Sequence, residues 1–553
     1  MSESKAVEFK TGVAALDELF QPVNRSDAPG LVVGVAQHGK TVYRRGFGLA
    51  SIEHGVANTP ATRMAMGSSS KHFTSLALLL LAEEGRVDVD ASVRRYLPEL
   101  PVLSGEPSLR QLMSHTGGHR CYADIGFLSD GMAIKPEGAA LAAQVRQTGV
   151  NFAPGEKMIY SNGGYHLLSL VIARVSGQSF EAFLKERIFT PIGMPDTESM
   201  RSDFEIHRGM ATLHVPQADG RWRRGIFPSE ETSGDGATIT TVDDVLRWLA
   251  HLRAPQKVVG SAASWAQMLS PARLNSGLVD TYGLGLLRHD YRGVEVVHHG
   301  GGVIGGRCQM LTVPSQALDI IIMSNGAPVD PIALAYQVID QMLGDDVLGP
   351  PREKASAARF KPMLGTRYHA PASGLVFGFA EAAEGKLGLS FMNQPPMPLW
   401  DMGLVLRLGF EDMTIGPLEL RAEALAGEGQ PAPALLVMSE SGHAVRCERL
   451  PDVPPPLAVA GAALLGRYRA ADLDAEAVVS FAGERLQLRV QGAYGSTLMD
   501  LEAFSSEVFG WQMPDVNLPL RGVLSLQRQD GRVTGFHVDT PRTRQMAFER
   551  LSA

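Results

Sequence analysis

Met66-Gly67-Ser68-Ser69-Ser70-Lys71-His72-Phe73-Thr74 runs without a break into Ser75-Leu76-Ala77-Leu78-Leu79-Leu80-Leu81-Ala82-Glu83-Glu84-Gly85. A glycine and three serines open a run of helix-forming residues, and Gly85 supplies a stop. The run is apolar almost all round, which predicts a helix buried on every side. Ser68 stands at the mouth of that helix, and Lys71 lies one turn on, on the same face. A hydroxyl at a helix N-terminus beside an amine three residues later is how an activated serine nucleophile can be built. Ser-x-x-Lys is a weak pattern by itself, since Ser2-Glu3-Ser4-Lys5 also matches it. Only Ser68 has a buried helix behind it.

Outward from this stretch, the upstream chain reads as a helix over 10–24, with Val13, Leu16, Leu19 and Phe20 on one face. A β-hairpin follows: Gly30–Ala36, a turn at His38-Gly39-Lys40, then Thr41–Gly48. Residues 86–250 read as mainly helical. Their segments are Leu109–His115, Tyr165–Val175 ended by Gly177, Phe180–Ile188, and Asp243–Leu252 with Thr241 as a possible cap. Strands return at Val294–Gly300, Arg307–Val313 and Leu318–Ser324, and a helix at 331–343 closes the unit. This order predicts an α/β sandwich with an antiparallel sheet and a helical subdomain over residues 1–345. Two Pro-rich linkers follow, Gly349-Pro-Pro-Arg and Pro451-Asp-Val-Pro-Pro-Pro, each preceding a similar phrase: Leu364-Gly-Thr-Arg-Tyr and Leu465-Gly-Arg-Tyr. The repeat predicts two related small antiparallel β-barrels, over 360–450 and 456–553.

Composition excludes several classes of function. Of 553 residues, 44% are hydrophobic and 20% charged, with a net charge of −8, so nucleic acid is not the expected partner. Cys121, Cys308 and Cys447 are far apart and odd in number, which offers neither a disulfide framework nor a CxxC metal site. The first residues lack a basic segment followed by an apolar one, and the longest apolar run, Leu76–Ala82, is too short to span a bilayer. A cytoplasmic enzyme with no membrane partner, metal or organic cofactor is the expectation.

Two further elements carry chemistry. Pro154-Gly155-Glu-Lys-Met-Ile-Tyr160-Ser161-Asn162 puts a phenol and an amide on one loop ahead of a buried helix, although a core tyrosine and a turn asparagine would read the same way. His299-Gly300-Gly301-Gly302 lies at a strand end, with glycines that let a substrate backbone approach. His298 competes, but adjacent strand residues face opposite sides, so only one can line a cleft. His115-Thr116-Gly117 fits the same pattern and is read as a structural turn.

The ordered trio Ser68-x-x-Lys71, Tyr160-Ser-Asn162 and His299-x-Gly301 resembles the penicillin-recognising serine hydrolases: class C β-lactamases, DD-peptidases, related esterases and D-aminopeptidases. Arg110-Gln-Leu-Met-Ser-His-Thr-Gly-Gly, Phe152-x-Pro-Gly and Gly234-Asp-Gly-Ala-Thr resemble that family too. The resemblance covers roughly residues 10–345. With two β domains following and Gly466-Arg-Tyr-Arg-Ala-Ala-Asp-Leu, the chain is most similar to the D-stereospecific aminopeptidase branch. The resemblance implies Ser68 as nucleophile, and Lys71 and Tyr160 sharing the role of base. It implies an oxyanion hole from the Ser68 N–H and one near Gly301–Gly302, with Asn162 orienting the substrate amide. It places His299 by the hydroxyl network. It implies a last-domain loop that shapes specificity, here about Phe509–Arg521, in which Asp515 would hold a substrate ammonium. The implied substrate is a small peptide or an amino-acid amide or ester, and the implied assembly a homodimer. An esterase or β-lactamase-like hydrolase on the same machinery, or a non-catalytic ligand sensor, are the competing readings.

Overall fold

The computed structural model describes residues 13–408 and 416–552. The Ser2-x-x-Lys5 match and the first residues of the expected 10–24 helix lie outside them. The first helix is α1 (Val13–Phe20). The hairpin forms as β1 (Leu31–Gln37) and β2 (Lys40–Phe47). His38 and Gly39 both take positive φ, 51° and 76°, as a tight turn matched to strand twist requires. Pairing continues through β3 (Leu287–Tyr291), β4 (Val294–Val303), β5 (Gly306–Val313) and β6 (Leu318–Ser324). The antiparallel order is β3-β4-β5-β6-β1-β2, so the N-terminal hairpin closes onto the last strand. Strand β3 is missing from the sequence reading because Leu287-Arg-His-Asp-Tyr carries only two apolar residues, of which Leu287 is buried and Tyr291 half-buried.

Strands β1 and β6 are buried nearly throughout because both faces of the sheet are covered. On one face α1 packs with the closing helix Pro331–Leu343. On the other lie the nucleophile helix α2 (Lys71–Glu83) and α4 (Asn162–Ser176), with helix Val242–Arg253 between. All of Lys71–Leu81 is buried, as its apolar circumference requires. The helix does not begin at Ser68. Gly67–Ser70 forms a tighter 3₁₀ turn leading into it, so Ser68 projects from the turn rather than from the helical ladder. Thr241 does cap its helix, accepting from Asp244 N–H.

The two C-terminal units are closed eight-stranded barrels, Arg367–Arg449 and Gly466–Arg550. Neither stands apart from the catalytic unit. The first barrel's core includes Phe152 and Ile159, and Gly416 N–H donates to Met158 O at 2.7 Å. The second barrel's core is continuous with helix α3 (Tyr122–Asp130) through Ile125, Phe127 and Leu128. The first barrel therefore braces the loop that leads to Tyr160, and the second braces helix α3.

Candidate active site

Strand β4 runs against the 3₁₀ turn that carries Ser68. Ser69 Oγ donates to His299 O at 2.7 Å. A Cβ on Gly301 would sit 1.8 Å from Met66 O, and one on Gly67, whose φ is +54°, would sit 2.8 Å from Gly302 N. Glycine at both positions is what lets strand and turn touch. Gly302 itself opens into space beside Ser68 and lines the cleft.

Lys71 is fully buried at the floor. Its Nζ donates to Asn162 Oδ1 at 2.9 Å and to the carbonyl of Asp235, and it lies 3.2 Å from Ser68 Oγ. Two carbonyl acceptors use two N–H bonds. A neutral amine then has its lone pair left for the Ser68 hydroxyl, which makes the geometry that of a poised base. Burial pushes the Lys71 pKa from 10.5 down to about 7, with the Asp235 carboxylate pulling the other way. Tyr160 Oη is buried and makes no hydrogen bond among the described residues. Burial drives its pKa well above 10, while the Ser68 hydroxyl and the Arg542 guanidinium oppose that rise. Lys71 Nζ lies 4.9 Å from the Tyr160 ring centroid. The phenol is thus held protonated next to an amine of which about half is free at pH 7.

His299 faces the cleft and His298 the opposite side, as strand alternation demands. The latter's Nε2 is 3.1 Å from His289 Nδ1. His299 reaches neither Ser68 nor Tyr160 by hydrogen bond. Its Nδ1–H donates to Gly300 O at 2.5 Å, so Nε2 accepts from Tyr282 O–H at 2.9 Å. Tyr282 in turn accepts from His115 Nε2–H at 3.1 Å, and His115 Nδ1 accepts from Ser161 N–H at 3.1 Å. Acceptors and donors alternate consistently through these four hydrogen bonds, with each imidazole neutral. Burial, and then the Lys71 charge, hold the His299 pKa at about 3. His115 is therefore more than the structural turn its sequence suggests. Its φ is +59°, and its ring lies 4.0 Å from the Tyr160 ring, so it fixes the loop that carries the phenol.

Asp515 is not brought to this cluster. Its carboxylate is exposed and accepts from Asn517 N–H at 2.8 Å, closing its own turn. The neighbouring Val516–Leu520 do line the outer cleft, so the loop arrives and its aspartate points away. The residue that does enter is Arg542, from the Thr540–Gln545 connection of the second barrel, which lines the cleft with Ser68, Tyr160 and Asn162. Arg542 pairs with buried Asp124 at 2.9 Å, and Asn151 Nδ2 donates to Arg542 O at 2.9 Å. Arg120 braces the same connection, donating to Arg544 O at 3.1 Å and pairing with Asp472 at 2.5 Å. Thr540-Pro-Arg-Thr-Arg544 carries no motif, so nothing local in the sequence pointed to it. Tyr282 was missed for the same reason, whereas Asp235 lies in the Gly234-Asp-Gly-Ala-Thr phrase and only its role was missed. Among the described residues no group of three or more His, Cys, Asp or Glu is arranged to hold a metal ion.

This arrangement can take a proton from a hydroxyl, hold an acyl group on it, and exclude water behind it. A family model described as Beta-lactamase matches residues 16–342. The D-aminopeptidases of Brucella melitensis and Gluconobacter oxydans are each 26% identical. The first aligns over 95% of this chain and 96% of its own length, the second over 100% of both. Two solved structures share the fold. An octameric penicillin-binding protein homologue from Pyrococcus abyssi has a TM-score of 0.55 and 20% identity, covering 88% of this chain and 100% of its own. SurE with D-Leu has a TM-score of 0.51 and 23% identity, covering 79% and 99%.

Proposed function

The chain belongs to the β-lactamase family, and from that premise we propose that it is a serine hydrolase, an aminopeptidase that releases N-terminal D-amino acids from peptides, amides or esters. One observation carries the chemistry: Lys71 Nζ lies 3.2 Å from Ser68 Oγ while Asn162 Oδ1 and the Asp235 carbonyl take up two of its hydrogens, so the neutral amine can accept from the Ser68 O–H. The full-length likeness to D-aminopeptidases supports the substrate class.

In this reading Ser68 Oγ attacks the substrate carbonyl while Lys71 takes its proton. The Ser68 N–H and a strand N–H at Gly301–Gly302 receive the oxyanion, each donor worth on the order of 3 kcal/mol. Asn162 holds Lys71 and orients the substrate amide. Tyr160, protonated at rest, passes its proton to the departing amine and recovers one from Lys71. The C–N bond breaks, an ester to Ser68 remains, and water hydrolyses it by the reverse proton path. Tyr282, His115 and His299 keep the phenol's loop and the strand in register.

The experiment is hydrolysis of matched D- and L-alanine p-nitroanilides by wild type and Ser68→Ala. The expected result is D-selective turnover that Ser68→Ala abolishes without loss of fold. Equal rates on both enantiomers would refute the stereochemical part, and an active Ser68→Ala the whole. The same reading extends to a cytoplasmic homodimer, supported by three buried free cysteines and the family resemblance, and tested by fractionation and sedimentation.

A further inference from the structure

An aminopeptidase needs a seat for the substrate's ammonium, and the loop aspartate expected to supply one points away. The cleft offers another carboxylate. Next to Ser68 a cavity of about 70 Å³ opens between Asn162, Gly302, Phe227, Asp235 and Asp203. No lysine, arginine or histidine lines it. Asp235 is already committed: its Oδ2 accepts from Tyr122 O–H at 2.9 Å, and it faces the Lys71 amine. Asp203 is not. Its Oδ2 accepts from Phe227 N–H at 2.8 Å, and among the described residues no cation lies within ion-pair distance. Burial pushes its carboxyl above the ordinary range, as expected of a carboxylate whose counter-charge is not supplied by the protein.

Resting on the aminopeptidase reading, we propose that Asp203 receives the α-ammonium of the substrate's N-terminal residue. The α-ammonium is two bonds from the carbonyl carbon that Ser68 attacks, so a cavity shared by Ser68 and Asp203 places that group within reach of the Asp203 carboxylate. Arg542 lines the cleft outside this cavity, and the Lys71 amine behind Ser68 and Asp235 is uncharged in the reactive form. A charge-assisted hydrogen bond made in a desolvated pocket accounts for about ten- to hundredfold in selectivity.

The test compares D-alanine p-nitroanilide with propionyl p-nitroanilide, which lacks only the amino group. The readout is the ratio of their kcat/KM values in wild type, Asp203→Asn and Asp203→Ser. Asparagine keeps the acceptor for Phe227 N–H and removes only the charge. The expected result is that the preference for the amino substrate falls ten- to hundredfold in both variants. A ratio unchanged from wild type, whether the two rates hold or fall together, overturns the assignment. A wild type that prefers the propionyl substrate would overturn the aminopeptidase reading itself, a different outcome from an unchanged ratio.

Discussion

Replacing Asp235 with asparagine should move the acid limb of the rate profile downward in pH. Lys71 must be neutral to take the Ser68 proton, and its pKa sits at about 7. Activity in wild type is therefore lost as pH falls through about 7, tenfold per unit below it. The Asp235 carboxylate favours the charged amine and so holds that value up. Its own carbonyl accepts from Lys71 Nζ, which keeps the carboxylate within a few ångströms of the amine. At about 6 Å and an effective dielectric near 20 the pair interacts by about 3 kcal/mol, a ceiling of ~2 pK units that screening reduces to about 1. With the limb at about 6, the free-amine fraction at pH 6 rises from about one tenth to one half, a gain of about fivefold in relative kcat/KM. Asparagine keeps an oxygen for Tyr122 O–H, so the substitution removes charge rather than the contact. The assay is kcat/KM against pH from 5 to 9, each profile normalised to its plateau. A limb that stays put, or moves up, would refute the assignment of Lys71 as the titrating base.

Gly301→Ala should cost at least about a hundredfold in kcat and lower Tm, because its Cβ would lie 1.8 Å from Met66 O and push the nucleophile turn away. Gly302→Ala, with nothing within 4 Å of the added methyl, should keep Tm and instead raise KM, as calorimetry and steady-state kinetics would show. Arg120→Met should destabilise by about 3 kcal/mol in denaturant unfolding, since it strands buried Asp472 and releases the connection that holds Arg542. Leu128→Ala, at the join between α3 and the second barrel, should cost about 2–4 kcal/mol. Removing the whole barrel would uncover the same apolar face, so the barrel's part in specificity is better read from Arg542→Gln, which strands buried Asp124 and should lower Tm as well as change KM.

The amino-acid sequence by itself singled out Ser68 as the candidate nucleophile and determined the framework around it. An apolar circumference forces Lys71–Leu81 inside, and an amine carried in with it becomes a weak acid at neutral pH. Period-two strands with glycines at His299–Gly302 forced one face toward that helix. Helix ends at Gly177 and Thr241 were legible because caps are local chemistry. What the sequence could not decide is which distant loop enters the cleft. Asp515 and Arg542 both sit in surface connections of one barrel, with no local signal to separate them. Only the docking of that barrel on α3, through Ile125 and Leu128, turns Arg542 inward and leaves Asp515 in solvent. The same holds for Asp203 and Tyr282, whose roles arise from contacts across 135 and 17 residues rather than from any neighbour in the chain. Local propensity fixes elements and caps, while long-range packing decides which buried polar groups find each other and which remain free for a substrate.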